Sequence, residues 1–378
     1  MTVTPMSKTS TPDGVAESTS EEYRIREFRR GDEAGFLSLF GAVFGDASAN
    51  WFEWKYVDNP YVDHVPICVA AAGDEIVGAN PFFALELAYR GKRLLALQPV
   101  DAMVHPDHRQ NGLLTRMTEH AIERYAAGDP ALFFNFPNEH AKRAFAKLGW
   151  ETVGELAAYY RVQNPAGLLD AGREDAVGRV ARELGTIAAR GYLGARDRLS
   201  AAPSGGLTVN RHPRIPVSEF AELSRANAPG GLHAVRDETY YRWRFGNPEW
   251  EYDAYTARRG GSPIAGIVAG TRRDDGATVT KLTDVAPLPK RRAHAEAFSH
   301  LLSRIVEDHA DADLIAAADG TLPHDLLRRH GFHPNDAFPL SRVAGRTTLV
   351  ARSLSDDLTF DPAERFNWQL SFGEQDTC

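Results

Sequence analysis

A chain that carries one sequence pattern twice, in the same order, is constrained to build one fold twice. "WKYVDNPY" (54–61) returns as "WRFGNPEW" (243–250), and "DAMVHPDHR" (101–109) aligns with "DVAPLPKRR" (284–292) without a gap at Asp, Pro and Arg. "KLGW" (147–150) returns as "RHGF" (329–332). Asp101 to Gly149 is 48 positions and Asp284 to Gly331 is 47; Trp54 to Asp101 is 47 and Trp243 to Asp284 is 41. Three matches in one order argue for a tandem duplication. A chain of 378 residues has room for both copies as domains.

Within the first copy, "YRIREF" alternates like a strand, and "RRGDEAGFLSLFGAVFG" reads as a helix with Phe36, Leu37, Phe40 and Val43 on one face. "VPICVAAAGDEIVGANPFFALELAY" predicts two strands around a Gly-Asp-Glu turn, and "RLLALQPVDAMV" a third. A helix follows with Leu113, Leu114, Met117, Ala121, Ile122 and Tyr125 on one stripe. "ALFFNF" is a buried strand, "NEHAKRAFAKL" a short helix closed by Gly149, and "ELAAYYRVQ" a last strand. The fold class is therefore α/β (α+β): two tandem domains, each a mixed, mostly antiparallel sheet flanked by helices. The expected divisions are a disordered tail at 1–22, a first domain at 23–165, a connecting helix and linker at 166–205, and a degenerate second domain with its tail at 206–378.

The net charge of -8 and pI near 5.9 give no reason to expect nucleic acid as a partner. No apolar stretch reaches the roughly 18 residues of a membrane helix. The polar start lacks the apolar core of a signal peptide, and two cysteines make no disulfide framework, which together predict a cytoplasmic setting. Cys68, in the run "ICVAAA", reads as a small buried hydrophobe. Metal-ligand spacings of the CxxC or HExxH kind do not occur, so no metal is expected.

"VHPDHRQNGLLTRM" (104–117) joins a strand to a helix through a polar loop with one glycine. Such a loop can hold an anion: free backbone N–H groups and the helix dipole face the ligand, and glycine leaves room for it. A plain strand-turn-helix fits the spacing as well. The segment resembles motif A of the GCN5-related N-acetyltransferases (GNAT), with its Arg/Gln-x-x-Gly-x-Gly/Ala loop. "FPNEHAKRAFAKLGW" (136–150) resembles the next motif, in which Asn starts a short helix ending in Gly-Phe or Gly-Trp. The resemblance covers about 23–162 well and 206–350 as a degraded echo.

The resemblance implies acetyl-CoA, or another acyl-CoA, as co-substrate, and a small-molecule or peptide amine as acceptor. Pantetheine contacts fall on the backbone of Met103, Val104 and His105. Pyrophosphate contacts fall on Arg109, Gln110, Asn111, Gly112, Leu113 and Leu114, with Asn138 near the cofactor arm. The chemistry is attack of an amine on a thioester, which a general base assists. Candidate bases are Asp101, Glu53 and Glu139. Asp101 and Val104 fall on opposite faces of an ideal strand unless a bulge intervenes, and the retained Asp284 suggests a structural acceptor instead. The family's frequent general-acid Tyr falls on Phe145, which has no proton to give, so Tyr159, Tyr160 or a water would serve, or the thiolate would leave unassisted. In the second copy Ala295 and Glu296 stand where the ungapped alignment puts Gly112 and Leu113, and an acid there repels a pyrophosphate, so this copy is expected to bind no cofactor. The Trp54/Lys55/Tyr56 and Asn59-Pro60 cluster recurs in that copy, which favours a structural role. Trp368 and Phe372 in the tail read as packed, with an acceptor pocket as the other possibility. The alternatives are a non-catalytic acyl-CoA-binding scaffold and an aminoacyl-tRNA-dependent peptide transferase on the same doubled fold. Exposed sheet edges would allow a homodimer.

Overall fold

The computed structural model describes residues 23–126, 128–164, 206–274, 276–288, 294–336 and 346–376. The tail at 1–22 and the linker expected at 166–205 lie outside the described residues. The first copy runs β1 (Tyr23–Glu27), α1 (Glu33–Phe44), α2 (Ala49–Phe52) continuing into a π-turn at Glu53–Val57, β2 (Ile67–Ala72), β3 (Glu75–Tyr89) and β4 (Lys92–Pro99). It continues with β5 (Met103–Val104), α3 (Leu113–Tyr125), β6 (Leu132–Asn135), α4 (Glu139–Lys147), β7 (Glu151–Leu156) and β8 (Ala158–Val162). The second copy repeats the plan: β9 (Leu207–His212), α5 (Val217–Ala226), β10 (His233–Ala234), α6 (Glu238–Arg244), β11 (Glu251–Arg259) and β12 (Ser262–Asp274). It ends with β13 (Ala277–Ala286), α7 (Ala295–Asp308), β14 (Leu314–Ala318), α8 (His324–Arg329), β15 (His333–Pro334) and β16 (Thr347–Ser353).

The main path of the first sheet is β1-β2-β3-β4-β6-β16-β7, and the second sheet is β9-β11-β12-β13-β14-β8-β15. The orders are identical once β16 and β8 are exchanged. Each copy sends its last strand into the other's sheet: β16 pairs β6 and β7, while β8 pairs β14 and β15. The strand at 158–162 thus departs from its expected place in the first domain. The periodicity of "ELAAYYRVQ" reports burial on a sheet and is silent on which sheet.

Around this exchange the copies share one core. Trp54 and Trp243, the repeat's matched tryptophans, stack at 6.1 Å between centroids. Each indole N–H donates to the other's backbone carbonyl, at 2.8 Å and 3.0 Å. Phe83 stacks on Trp243 at 5.1 Å, and Phe134 meets Trp368 from the tail at 5.6 Å. The asparagines after the tryptophans do the same work twice. Asn59 Oδ1 accepts from Tyr61 N and Asn247 Oδ1 from Glu249 N, each closing a turn. Cys68 is buried, as its apolar surroundings require.

The tail is clamped by a buried ion cluster. Arg236 pairs with Asp284 (2.7 Å) and with Glu374 (2.8 Å), and both carboxylate side chains are 0% exposed. Burial opposes ionisation of Glu374, but Arg236 and the N–H groups of Ala234 and Ser371 hold its carboxyl below the usual range. At Asp284 burial prevails and pushes the carboxyl up.

Two outcomes follow from these contacts. A chain ending at residue 164 lacks the partner of β6 and β7 and leaves β8 without a sheet, so it should show no cooperative thermal transition by circular dichroism. A sharp transition would mean that the exchanged strands are dispensable. Arg236→Met strands two buried carboxylates and should cost about 3–5 kcal/mol at pH 7. Because a depressed carboxyl contributes its stability above its unfolded pKa and loses it as pH falls, the deficit measured by urea unfolding should shrink towards pH 4, where the stranded groups protonate.

Candidate functional site

The run read as one strand at 93–104 breaks in the structure. Pairing of β4 with β6 covers Ala96 opposite Leu132 and Leu97 opposite Phe133. Beyond that point the first chain leans towards β3, with Val104 opposite Gly78, while β6 follows β16 through Asn135. The two parallel strands therefore splay apart. Asp101, at the break, has φ 46, the bulge that parity called for.

The bulge determines which backbone groups face the splay. His105 N donates to Val77 O at 2.9 Å. Val104 opposite Gly78 is therefore a non-hydrogen-bonded pair, and the N–H and C=O of Val104 itself point away from β3. Of the expected pantetheine contacts, Val104 presents its backbone to the splay; His105 has spent its N–H on β3, and Met103 is turned the same way. The Val104 carbonyl accepts Arg109 Nε at 3.3 Å.

The loop to α3 is built as an anion cradle. Gln110 and Gly112 both have φ 67, and a Cβ placed on Gly112 would meet nothing within 4 Å. The Asn111 side chain staples the turn by donating to Tyr23 Oη and to the carbonyls of His108 and Arg109. Among the described residues, the backbone N–H groups of Gln110, Asn111, Gly112, Leu113 and Leu114 have no internal acceptor. Helix starts leave such donors for a cap or a ligand. Leu113 is buried and anchors the helix, while Leu114 is half-buried. Asn138, across the splay, caps α4 by accepting Ala141 N at 2.9 Å. Gln98 lies wholly buried beside the splay, and its carboxamide has no hydrogen-bond partner among the described residues. The open N–H row and the empty space at Gly112 fit a phosphate-bearing thioester.

In the second copy the loop at 289–293 lies outside the described residues, while the start of α7 is described. Phe298 N bonds His294 O as Arg116 N bonds Gly112 O, and His294 has φ 59. The residue at the Gly112 position is therefore His294, one place before the ungapped alignment's Ala295. Glu296 is paired to Arg259 at 2.8 Å.

Of the proposed proton carriers, Asp101 is well placed. Lys55 Nζ (2.6 Å) and Tyr56 Oη (2.5 Å) both donate to its Oδ2, which leaves Oδ1 to accept another donor. Burial opposes the Lys55 charge, but Asp101 and Asp376 outweigh it and hold the ammonium above its usual range. Burial, then Asp101, pushes the Tyr56 phenol up. The cluster read as structural thus divides: Trp54 packs, while Lys55 and Tyr56 serve Asp101. Glu53 is exposed at the start of the π-turn. The Glu139 side chain lies outside the described residues. Tyr159 is turned into the second copy's core against His324, with centroids at 5.2 Å. Its neighbour Tyr160, on the opposite face of β8, reaches the cavity beside Asp101. Phe145 is buried against Trp150, at 5.0 Å.

That cavity, of about 660 Å³, lies between the copies. Its walls include Trp51, Lys55 and Asp101 from the first copy, Trp250 and Lys281 from the second, and Asp376 from the tail. Phe372 of the tail lines it while remaining packed. Asp376 binds Lys55 at 3.2 Å, a partner that no sequence spacing announces. Among the described residues, no group of three or more His, Cys, Asp and Glu is placed to hold a metal ion, and no helix is long and apolar enough to cross a membrane.

Residues 24–153 match the family profile described as an acetyltransferase (GNAT) domain. Among solved structures, the chain is similar to a GCN5-related N-acetyltransferase from Anabaena variabilis ATCC 29413, with TM-score 0.59 and 11% identity over 88% of this chain and 73% of that one. A GCN5-related N-acetyltransferase from Kribbella flavida gives TM-score 0.55 and 16% identity over 88% and 71%. A tandem GNAT protein from the clavulanic acid biosynthesis pathway gives TM-score 0.51 and 14% identity over 88% and 99%. No curated protein matches at a significant level. Residues 24–153 thus match a GNAT acetyltransferase domain, and the chain as a whole shares the fold of these solved GCN5-related N-acetyltransferases, a tandem GNAT protein among them.

Proposed function

We propose that the protein is an N-acetyltransferase that moves an acetyl group from acetyl-CoA to an amine, using the first copy's cleft. The row of unpaired backbone N–H groups from Gln110 to Leu114, around the open Gly112, carries this reading. An anionic pyrophosphate satisfies those donors and gains from the α3 dipole. The Val104 N–H faces the splay, where it would stabilise the oxyanion of a thioester under attack. Asp101 Oδ1 would accept the proton that the amine loses as the N–C bond forms and the C–S bond breaks. With Phe145 at the family's usual Tyr position, the thiolate leaves without a proton from α4. Tyr160, a phenol in the cavity, is the nearest replacement the sequence named. Burial pushes that phenol up, so it holds its proton at neutral pH.

The missing Tyr also sustains a second reading, an acyl-CoA-binding protein without turnover. A cradle shaped for pyrophosphate argues against an aminoacyl-tRNA-dependent transferase, which has little use for it.

Calorimetric titration of acetyl-CoA should show binding to the wild type and at least a tenfold loss with Gly112→Asp, whose carboxylate enters the anion cradle. Asp is among the residues that tolerate a left-handed φ, so the variant should fold. No binding by the folded wild type overturns the acyl-CoA reading. Asp101→Asn should leave acetyl-CoA affinity unchanged and lower kcat on an amine by about 10²–10⁴. An unchanged kcat would return Asp101 to a purely structural role.

A further inference from the structure

The cavity beside Asp101 has a directional wall. Phe44, 54% exposed, packs on Phe40 at 5.1 Å, and Phe40 packs on Trp51 at 4.9 Å. Lys55 Nζ lies 5.0 Å from the Trp51 ring centroid and 2.6 Å from Asp101 Oδ2. An aromatic strip therefore runs from solvent to the carboxylate that would receive the amine. A large exposed aromatic at the mouth of a cleft is a feature that needs an occupant.

The net charge lies at the inner end of the strip. At the Asp101 corner one ammonium, Lys55, serves two carboxylates, Asp101 and Asp376, which leaves one negative charge to be met. Elsewhere the lining balances its charges, with Lys281 and Arg272 set against Glu249 and Asp46. Lys281 lies over Trp250 at 5.0 Å and over Phe372 at 5.5 Å, and Arg272 over Trp250 at 5.9 Å with its partner Glu249 at 3.3 Å. A volume of about 660 Å³ suits a drug-sized molecule.

Resting on the acetyltransferase reading, we propose that the acceptor is a monoamine joined to an apolar aromatic body, an arylalkylamine, bound with its nitrogen at Asp101 and its ring along Trp51, Phe40 and Phe44. Polyamines and amino sugars are disfavoured: they present charges or hydroxyls to the aromatic strip, where these would lose their hydration.

The test uses the full chain and three probes: 2-phenylethylamine, spermidine and glucosamine. Thiol release from acetyl-CoA reports transfer, and calorimetry on the protein saturated with coenzyme A reports amine binding without turnover. The expected result is a kcat/KM for 2-phenylethylamine at least tenfold above the other two. Phe44→Ala, at an exposed position that leaves the fold intact, should raise KM for 2-phenylethylamine roughly tenfold with little change in kcat, and should leave KM for glucosamine unchanged. Preference for spermidine or glucosamine, or an unchanged KM in the variant, overturns the proposal. If acetyl-CoA binds but no amine is acetylated, selective binding of 2-phenylethylamine, lost in Phe44→Ala, still supports the pocket assignment while the transfer reading fails. If none of the three amines binds, the pocket assignment fails by itself.

Discussion

The reciprocal exchange of β16 and β8 is the constraint on which everything else rests. Each sheet is completed by a strand of the other copy, so neither can be built without its partner. The exchange fixes the copies face to face and lets Trp54 and Trp243 meet across their approximate symmetry with reciprocal N–H···O bonds. A buried indole N–H needs a partner, and here each copy supplies the other's. The second consequence is functional. Because β8 carries Tyr160 into the second sheet, and the tail returns to the first copy, the space beside Asp101 is walled by both halves of the chain.

Duplication gave two versions of one acidic position, and the surroundings sent them different ways. Asp101 keeps a side chain that is 20% exposed, two donors on one oxygen and the other oxygen open. Asp284 is sealed by Arg236, Tyr241 and Ser371. The first has an oxygen open to a further donor; the second locks the tail through the Arg236–Glu374 pair. Glu374 also belongs to a capping box with Ser371, which sets the last described turn and so aims Asp376 at Lys55. The aspartate of one copy thus anchors the tail that supplies Asp376 beside the aspartate of the other.

Local pattern made much of this legible in the sequence. The stripe on α3 appears with Leu113, Met117, Ala121 and Tyr125 buried, and a Cβ placed on Gly112 in the loop before it would meet nothing within 4 Å. The duplication was readable from Trp54, Asp101 and Gly149 because those residues answer to local geometry. The exchange was hidden, since strand periodicity encodes a buried face and leaves the neighbour unspecified. Lys55 and Tyr56 were masked by their recurrence: Arg244 stands at the Lys55 position, yet it donates to the carbonyls of Gly373 and Gln375 instead of to the aspartate. The same alternation separates Tyr159 from Tyr160 and decides which of the two can see the cavity.

Charge separates the two ends of the cleft. The start of α3 offers backbone N–H groups and the positive end of a helix dipole, which suits an anionic donor. The Asp101 corner offers carboxylates in excess over Lys55, which suits a cationic acceptor. Were the two substrates drawn to the same charge, they would compete for one entrance. On the proposed reading the donor would sit at Gln110–Leu114, and the acceptor would approach through a cavity walled by both copies and the tail. Asp101 Oδ1 would then attract the ammonium and take its proton. The cavity is thus a product of the doubled fold: its walls come from both copies and the tail, and neither copy's sheet is complete alone.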